Sequence, residues 1–468
     1  MAISSDSKTL VAPGPKGLPI LGSAIGLIYD ILGTSLNGML KFGDVVRYVA
    51  GPPGPLRVIA YGIAHPDGVQ HVLTAGGDHY SKQDATYTEL RELVGNGLLT
   101  SEGETWRRQK RLVQPLFTHK RVAEYASLMA DEGEKLVQRW ALLAGKDGSV
   151  DLHSEMTRVS LRIVSRALFG EDADSFIPVL KDNVPFLSRR AFARSIAPVK
   201  IPAHWPTPGN RHAARAKAEI EGMVDAIIAR RRANPTGEVD LVSLLLEAQD
   251  PEGGLGLDDM EVRDQALIFL LAGHETTATS LCFTLHLLGL HPDIQRRVQE
   301  EVDSVLGDRM PVLEDVPNLS YTTMAIKEAM RLYPAAYAIP RLTEIEDEVN
   351  GYAIPVGSVA VVSPWVTHRH PAFWDDPEKF DPERFTPDKE KARHRYAYFP
   401  FGGGARACIG QYFSMLEAII VTAQLARAYK LESSSDPVPL FTGITLRPKK
   451  AMPCRIEARQ PALAESIS

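Results

Sequence analysis

The chain has 468 residues, a formal net charge of -6 at pH 7 and 44% hydrophobic residues. Its length sets a prior of about three domains but equally allows one large buried core, and the mildly acidic balance excludes a global basic field aimed at nucleic acid or an anionic membrane. Three cysteines, Cys282, Cys408 and Cys454, are too sparse and odd a set for a disulfide framework and point to a reducing, cytoplasmic compartment.

Met1 to Leu10 lacks the apolar core of a signal peptide. The prolines and glycines from Pro13 to Gly22 forbid a regular ladder and predict an extended lead-in over about residues 1–22. Val45 to Val49 and Leu56 to Ala60 flank Gly51-Pro52-Pro53-Gly54 as a β-hairpin, and a helix follows over Pro66 to Thr74. Tyr80 to Ser101, with few periodic positions and Gly95-Asn96-Gly97, should contain a mobile loop of the kind that contacts ligand. Trp106 to Phe117 is a basic helix with Trp106 and Lys110 on one face, and alone it reads as a solvated surface helix with a packing tryptophan. Helical periodicity covers Lys120 to Leu143, His153 to Phe169, Ala213 to Asn234 and Leu241 to Gln249. Ser188 to Arg211, with Pro198, Pro202, Pro206, Pro208 and Trp205, predicts a poorly ordered connection.

Met260 to Leu290 contains the longest apolar run, but His274, Glu275 and His286 make it a helix buried all round inside a soluble protein rather than a membrane span. Within it, Ala272-Gly273 leaves room for a flat group or dioxygen, and Glu275-Thr276 offers an acid and an alcohol able to relay protons into a dry pocket. The threonines could equally bond back to the preceding turn. His274-Glu275 begins a zincin-like motif, but position 278 is alanine, so the second zinc-ligand histidine is missing. Glu328 and Arg331 share a face of the helix Ser320 to Leu332, and Tyr333 to Arg341 leaves it extended. Lys389 to Arg395 is a basic surface run, and Gln411 to Tyr429 an amphipathic helix.

Phe399 to Gly410 sets Cys408 alone in a glycine-rich loop with no cysteine or histidine at metal-ligand spacing. A lone thiolate suits a metal that already holds other ligands, as porphyrin iron does, while clustered glycines let backbone crowd a flat macrocycle and aim amides at the sulfur. Arg406 could pair with a haem propionate. A buried structural cysteine is the plain alternative. Phe401, Gly404, Arg406, Cys408 and Gly410 form Phe-x-x-Gly-x-Arg-x-Cys-x-Gly, and this pattern resembles the haem-binding signature of the cytochrome P-450 family at every defining position.

The resemblance extends over essentially the whole chain. Ala272-Gly273-His274-Glu275-Thr276-Thr277 is similar to the family's oxygen-activation motif; Glu328, Arg331 and Arg384 to its structural triad; Arg341 to a propionate-binding arginine. Trp106 and Lys110 match its Trp-x-x-x-Arg helix with lysine in place of arginine, which removes the bidentate fork. What this implies is a mainly α single catalytic domain over residues 1–468, with a smaller β-rich region and haem b between the central long helix and the cysteine loop. It further implies a monomeric monooxygenase without a membrane anchor, with Cys408 on iron, Glu275 and Thr276 delivering protons, and Ser188 to Arg211 forming the lid. The implied substrate is a terpenoid, fatty acid or polyketide-like small molecule. Electrons would come from an acidic ferredoxin or flavodoxin, with its reductase, docking on Arg107, Arg108, Arg111, Lys391, Arg393 and Arg395. A peroxide-driven or isomerising relative and a haem-binding sensor are the competing readings.

Overall fold

The computed structural model describes residues 10–459 except 55, 76–78, 145–147, 171–172, 198–199 and 234–239. The sequence readings at residues 1–9, at Pro198 and at Asn234 lie outside the described residues. Ten helices place the site: α1 Pro66–Thr74, α2 Ala85–Val94, α3 Gly103–Val113, α4 Ala126–Ala144, α5 Leu152–Phe169, α6 Ala173–Ser195, α7 Pro208–Ala233, α8 Asp259–Leu290, α9 Ser320–Leu332 and α10 Gln411–Ala428.

The central helix, α8, starts at a capping box: Asp258 accepts the Glu261 amide at 2.8 Å while Glu261 accepts the Asp258 amide at 3.2 Å. Its most apolar window is 78% buried, so the stretch long enough to cross a membrane is a core helix. α5 is its main packing partner, and Gly273 explains how closely they approach. A Cβ at that position would stand 2.9 Å from Val164 Cγ2. The missing side chain of Gly273 thus serves the α8–α5 crossing, and Ala272 is the more exposed member of the small pair.

The β-rich part is a five-stranded sheet, β1 Val45–Ala50, β2 Val58–Ile63, β3 Tyr80–Ser81, β4 Ile339–Thr343 and β5 Val359–Val362, ordered β1-β2-β5-β4-β3. β1 and β2 form the expected antiparallel hairpin, with Val45 opposite Ile63. β4 pairs antiparallel with β5 and fixes Arg341 opposite Ala360. A separate hairpin, β6 Leu440–Thr442 and β7 Leu446–Pro448, sets Phe441 opposite Arg447.

Three readings change. Tyr80 to Ser101 holds a loop after Gly95 but also a helix that the sequence reading omitted, because Asp84 caps α2 by accepting the Thr86 and Tyr87 amides and Gly95 (φ 80°) ends it. The Asn96 amide then donates to Asp264 at 2.7 Å and the Leu98 amide to Gln265 at 3.0 Å, pinning the segment to α8. Ser188 to Arg211 is helical at both ends, as α6 runs through Pro178 and Pro185 to Ser195 and α7 begins at Pro208, and Asn210 ties the connection between them by donating to the Pro202 and Trp205 carbonyls. α10 is buried on nearly every face rather than amphipathic. Cys282 and Cys454 are core residues.

Glu417 on α10 is fully buried and accepts the Ser160 hydroxyl at 2.6 Å, and its other oxygen has no partner. Burial, only partly offset by Ser160, pushes its carboxyl up to about 8. An unfolded glutamate titrates near about 4.3, so between these values folding takes up a proton and stability falls as pH rises, by up to about 1.4 kcal/mol per pH unit. Glu417→Gln keeps the acceptor for Ser160 and removes the titration. The variant should gain a few degrees in Tm over the parent at pH 8 and little at pH 5; equal gains at both would exclude a protonated Glu417.

Candidate active site

Cys408 is the exposed thiol of the three, and a set of backbone hydrogen bonds shapes its loop. The Cys408 amide donates to Phe401 O at 2.9 Å and the Gly402 amide to Phe399 O at 2.9 Å. Gly402 (φ 70°) and Gly404 (φ 65°) adopt left-handed backbone, and a Cβ at Gly404 would lie 2.1 Å from the Leu73 carbonyl oxygen of α1. The surrounding protein raises the thiol above its ordinary value while the Gly410 amide pulls it down. A Cβ at Gly410 would be 4.0 Å from Cys408 Sγ. α10 begins three residues after the sulfur and directs its positive N-terminus to this side.

The triad sits behind this loop. Arg331 donates to both oxygens of Glu328, at 2.6 and 2.8 Å, and Arg384 Nε lies 3.3 Å from Glu328. Arg331 also donates to the His368 carbonyl at 2.8 Å, and the His368 ring accepts the Phe399 amide at 2.9 Å. Burial first, then the neighbouring Arg331, depresses the His368 imidazole well below its usual value, so it is neutral and free to accept. A continuous hydrogen-bonded path thus runs from Glu328 to the start of the cysteine loop. The sequence singled out its ends but not His368.

A cluster of cations gathers at one edge. The Arg406 guanidinium lies 3.9 Å from the Trp106 ring centroid, donates to Ser101 O at 3.0 Å and pairs with Glu102 at 2.8 Å. Burial first, opposed by Glu102 and reinforced by Arg341, lowers it to about 10, so it stays charged at neutral pH. Arg341 donates to the Tyr87 hydroxyl at 3.3 Å. Lys110 packs over Trp106 and donates to Ala405 O at 3.0 Å, joining α3 to the cysteine loop. Lys82 was missed. It is buried, donates to Leu99 O at 2.9 Å, and is pushed well below its ordinary value by burial and then by Arg341 and Arg406. Nothing in Ser81-Lys82-Gln83 signals such a site. The basic side chains Arg406, Arg341, Lys110 and Lys82, of which Arg406 pairs with Glu102, suit a ligand carrying carboxylates.

On α8, Ala272 is exposed beside the buried Leu271 and the half-buried Gly273, and the Thr276 hydroxyl donates to Ala272 O at 2.6 Å, the back-bonded arrangement left open by the sequence. Glu275 lies 3.5 Å from Arg447 Nε on β7, and Arg447 also packs 4.6 Å from the Phe441 ring centroid. Thr277 Oγ1 is 3.0 Å from Ser414 Oγ, joining α8 to α10 just beyond the cysteine.

The docking cations are corrected. Arg108 pairs with Glu261, and Arg111 with Asp250 at 2.9 Å and Glu252 at 3.3 Å. Arg393 packs 4.1 Å from the Trp374 centroid and is only partly exposed. Arg107 is exposed but 3.2 Å from Glu104, whereas Lys391 and Arg395 are exposed.

The donor set fits a haem: one soft exposed sulfur, a glycine cradle that a Cβ would fill, and a carboxylate-seeking cation cluster beside an aromatic. A mainly helical fold carrying these parts defines the haem-thiolate proteins. The chain belongs to the cytochrome P450 family, whose sequence model, described as Cytochrome P450, matches residues 12–455. It is 37% identical to cyclooctat-9-en-7-ol 5-monooxygenase of Streptomyces melanosporofaciens, covering 91% of this chain and 89% of that protein. Pentalenene oxygenase of Streptomyces avermitilis is 32% identical, with 96% and 97% covered. The crystal structure of the cytochrome P450DA heme domain superposes with a TM-score of 0.85 at 27% identity over 97% of this chain and 99% of that one.

Proposed function

We propose that this protein is a haem b monooxygenase that inserts one oxygen atom from O2 into a lipophilic small molecule, with terpenoids favoured over fatty acids and polyketides. The observation that carries the reaction class is Cys408, an exposed thiol held by backbone hydrogen bonds within the family's signature. The terpenoid preference rests on relatives named for cyclooctatin-type and pentalenene oxidation, including cyclooctatin synthase of Streptomyces melanosporofaciens at 36% identity over 94% of this chain and 92% of that protein. A largely apolar lining from Ile268 to Ala272, with Tyr87 to Leu98, Ala335 to Ile339 and Phe441 to Ile444, supports a lipophile. We further propose that it works in the cytoplasm as a monomer, with residues 1–468 forming one catalytic domain.

Each residue has a task. Cys408 would supply the sulfur ligand to the iron, with Phe401, Gly404 and Gly410 shaping its seat. Arg341, Arg406, Lys110 and Lys82, around Trp106, hold the propionates, while Glu328, Arg331 and Arg384 hold the cysteine loop in place. When bound, the haem supplies two-electron reduction of dioxygen and oxygen transfer; the balance is substrate, O2, two electrons and two protons giving hydroxylated product and water. Ala272 leaves room against the helix. The Thr276 hydroxyl, turned from Ala272 O, donates a proton into the pocket, and Glu275, held by Arg447, resupplies it. Electrons arrive from a ferredoxin or flavodoxin with its reductase, docking on Arg107, Lys391 and Arg395, so reduction slows with salt.

Thr276→Ala tests the relay. Product formed per electron should fall by about tenfold while peroxide release rises. Unchanged coupling, measured as product and peroxide per reduced nicotinamide, would remove Thr276 from proton delivery. Turnover with peroxide alone, and none with reduced nicotinamide and surrogate redox proteins, would replace the monooxygenase with a peroxide-driven enzyme.

A further inference from the structure

The β6–β7 hairpin has two faces. Phe441 turns to α6, its ring centroid 6.4 Å from that of Phe192, on the side read above as the substrate pocket. Strand alternation sends Leu440 and Thr442 the other way, and there they border a second cavity of about 330 Å³. Ile31 and Leu32, which open the helix Ile31–Phe42, join Val438 and the indole of Trp365 in its apolar wall. Small-molecule sites typically span about 300–1,000 Å³, so the cavity is large enough for a compact ligand.

The fold leaves two polar groups unspent at this cavity. Trp365 Nε1 is buried without a hydrogen-bond partner among the described residues, whereas a buried indole N–H ordinarily donates. Its ring is held in place: the Arg369 guanidinium stacks 3.6 Å from the centroid, and Tyr333 meets it edge-on at 6.4 Å. Arg369 is itself fixed by Glu378 at 2.8 Å and by donating to Leu332 O at 2.7 Å. Asp30 caps the helix Ile31–Phe42 by accepting the Gly33 amide with Oδ1 at 2.9 Å, and its Oδ2 has no partner among the described residues. A donor and an acceptor bordering one apolar cavity match a hydroxyl group, which accepts from an N–H and donates to a carboxylate.

We propose that this cavity is a second, peripheral site for a lipophilic alcohol, whose hydroxyl accepts from Trp365 Nε1 and donates to Asp30 while its hydrocarbon body lies on Leu32, Val438 and Leu440. Tyr29, 85% exposed at the rim, leaves an aromatic ring open to the occupant. The site lies on the reverse of the hairpin from the haem pocket and does not depend on what is oxidised there.

The test uses the haem-loaded full chain with clotrimazole filling the haem pocket, dialysed to equilibrium against labelled 1-adamantanol, a compact cage alcohol. The parent should bind one alcohol per chain with the azole absorption unchanged. Leu440→Trp, which fills the cavity, should weaken binding by at least about tenfold. Trp365→Phe, which keeps a ring and removes the donor, should weaken it by about tenfold, the effect of one hydrogen bond. Adamantane, the same cage without the hydroxyl, should bind the parent about tenfold more weakly than the alcohol and be indifferent to Trp365→Phe. Leu440 and Trp365 are both half-buried, so both variants should keep the parental Tm, which separates loss of the site from loss of the fold. No saturable binding to the azole-filled parent, displacement of the azole by the alcohol, or full binding by Leu440→Trp overturns the site. Equal affinity for alcohol and hydrocarbon, or unchanged affinity in Trp365→Phe, overturns the pairing with the indole.

Discussion

Cys408→Ser should leave a folded protein with under about 1% of parental monooxygenase activity, because a serine oxygen cannot supply the electron push that a thiolate gives to O–O scission. The fold should survive since the loop does not depend on the sulfur: its shape comes from the Cys408, Gly402 and Ala407 amides bonding to Phe401, Phe399 and Gly404 carbonyls. Far-ultraviolet circular dichroism and Tm should therefore stay close to the parent, while the thiolate-type absorption of the reduced carbon monoxide complex disappears. Retention of that absorption by the serine variant would move the ligand elsewhere. Cys282 and Cys454 are poor substitutes, since both lie buried and burial raises both thiols. Losing the fold together with the absorption would contradict the backbone account of the loop.

The parts of this site that were legible in the sequence are those whose chemistry forces a local pattern. A solitary sulfur among glycines needs left-handed backbone nearby, so Gly402, Gly404 and Cys408 announce one another. An acid and an alcohol in a helix as apolar as α8 announce themselves by their cost. Residues recruited across the fold carry no such mark. Lys82, Glu102 and Arg447 acquire their roles from partners more than a hundred residues away, and His368 from Arg331 and Phe399 on separate elements, as Arg447 meets Glu275 only because the β6–β7 hairpin is laid along α8. The omission of α2 from the Tyr80 to Ser101 segment is a different failure. Asp84 as cap and Gly95 as stop were readable helix signals, but a polar ten-residue helix has too little apolar periodicity to outweigh Gly95-Asn96-Gly97. Charge runs mislead for a related reason: Arg108 and Arg111 look like a docking face until the fold brings Glu261, Asp250 and Glu252 to them.

Arg331→Lys, a change that preserves charge, should be nearly as damaging as Arg331→Ala. Arg331 is fully buried and makes five contacts: Nε and Nη2 to the two oxygens of Glu328, Nη1 to the His368 and Pro377 carbonyls, and Nη2 to the Lys379 carbonyl at 3.1 Å. A lysine offers three donors from one point and cannot span acceptors arranged for a planar fork. The carboxylate would lose its bidentate partner in a place where burial already raises it above the ordinary value, and Arg384 at 3.3 Å reaches only one of its oxygens. Breaking a buried pair in this way costs about 3–5 kcal/mol. The damage should be directional, because the His368 carbonyl that Arg331 holds belongs to the residue whose ring receives the Phe399 amide. Amide exchange should therefore rise first over Phe399 to Gly410, and haem should be lost from the purified variant at temperatures where α5 and α8 remain protected. Denaturant unfolding followed by circular dichroism gives the stability loss, and haem absorbance in the same titration gives the order of events. If Arg331→Lys unfolds at the parental midpoint and keeps its haem, the triad does not support the cysteine loop.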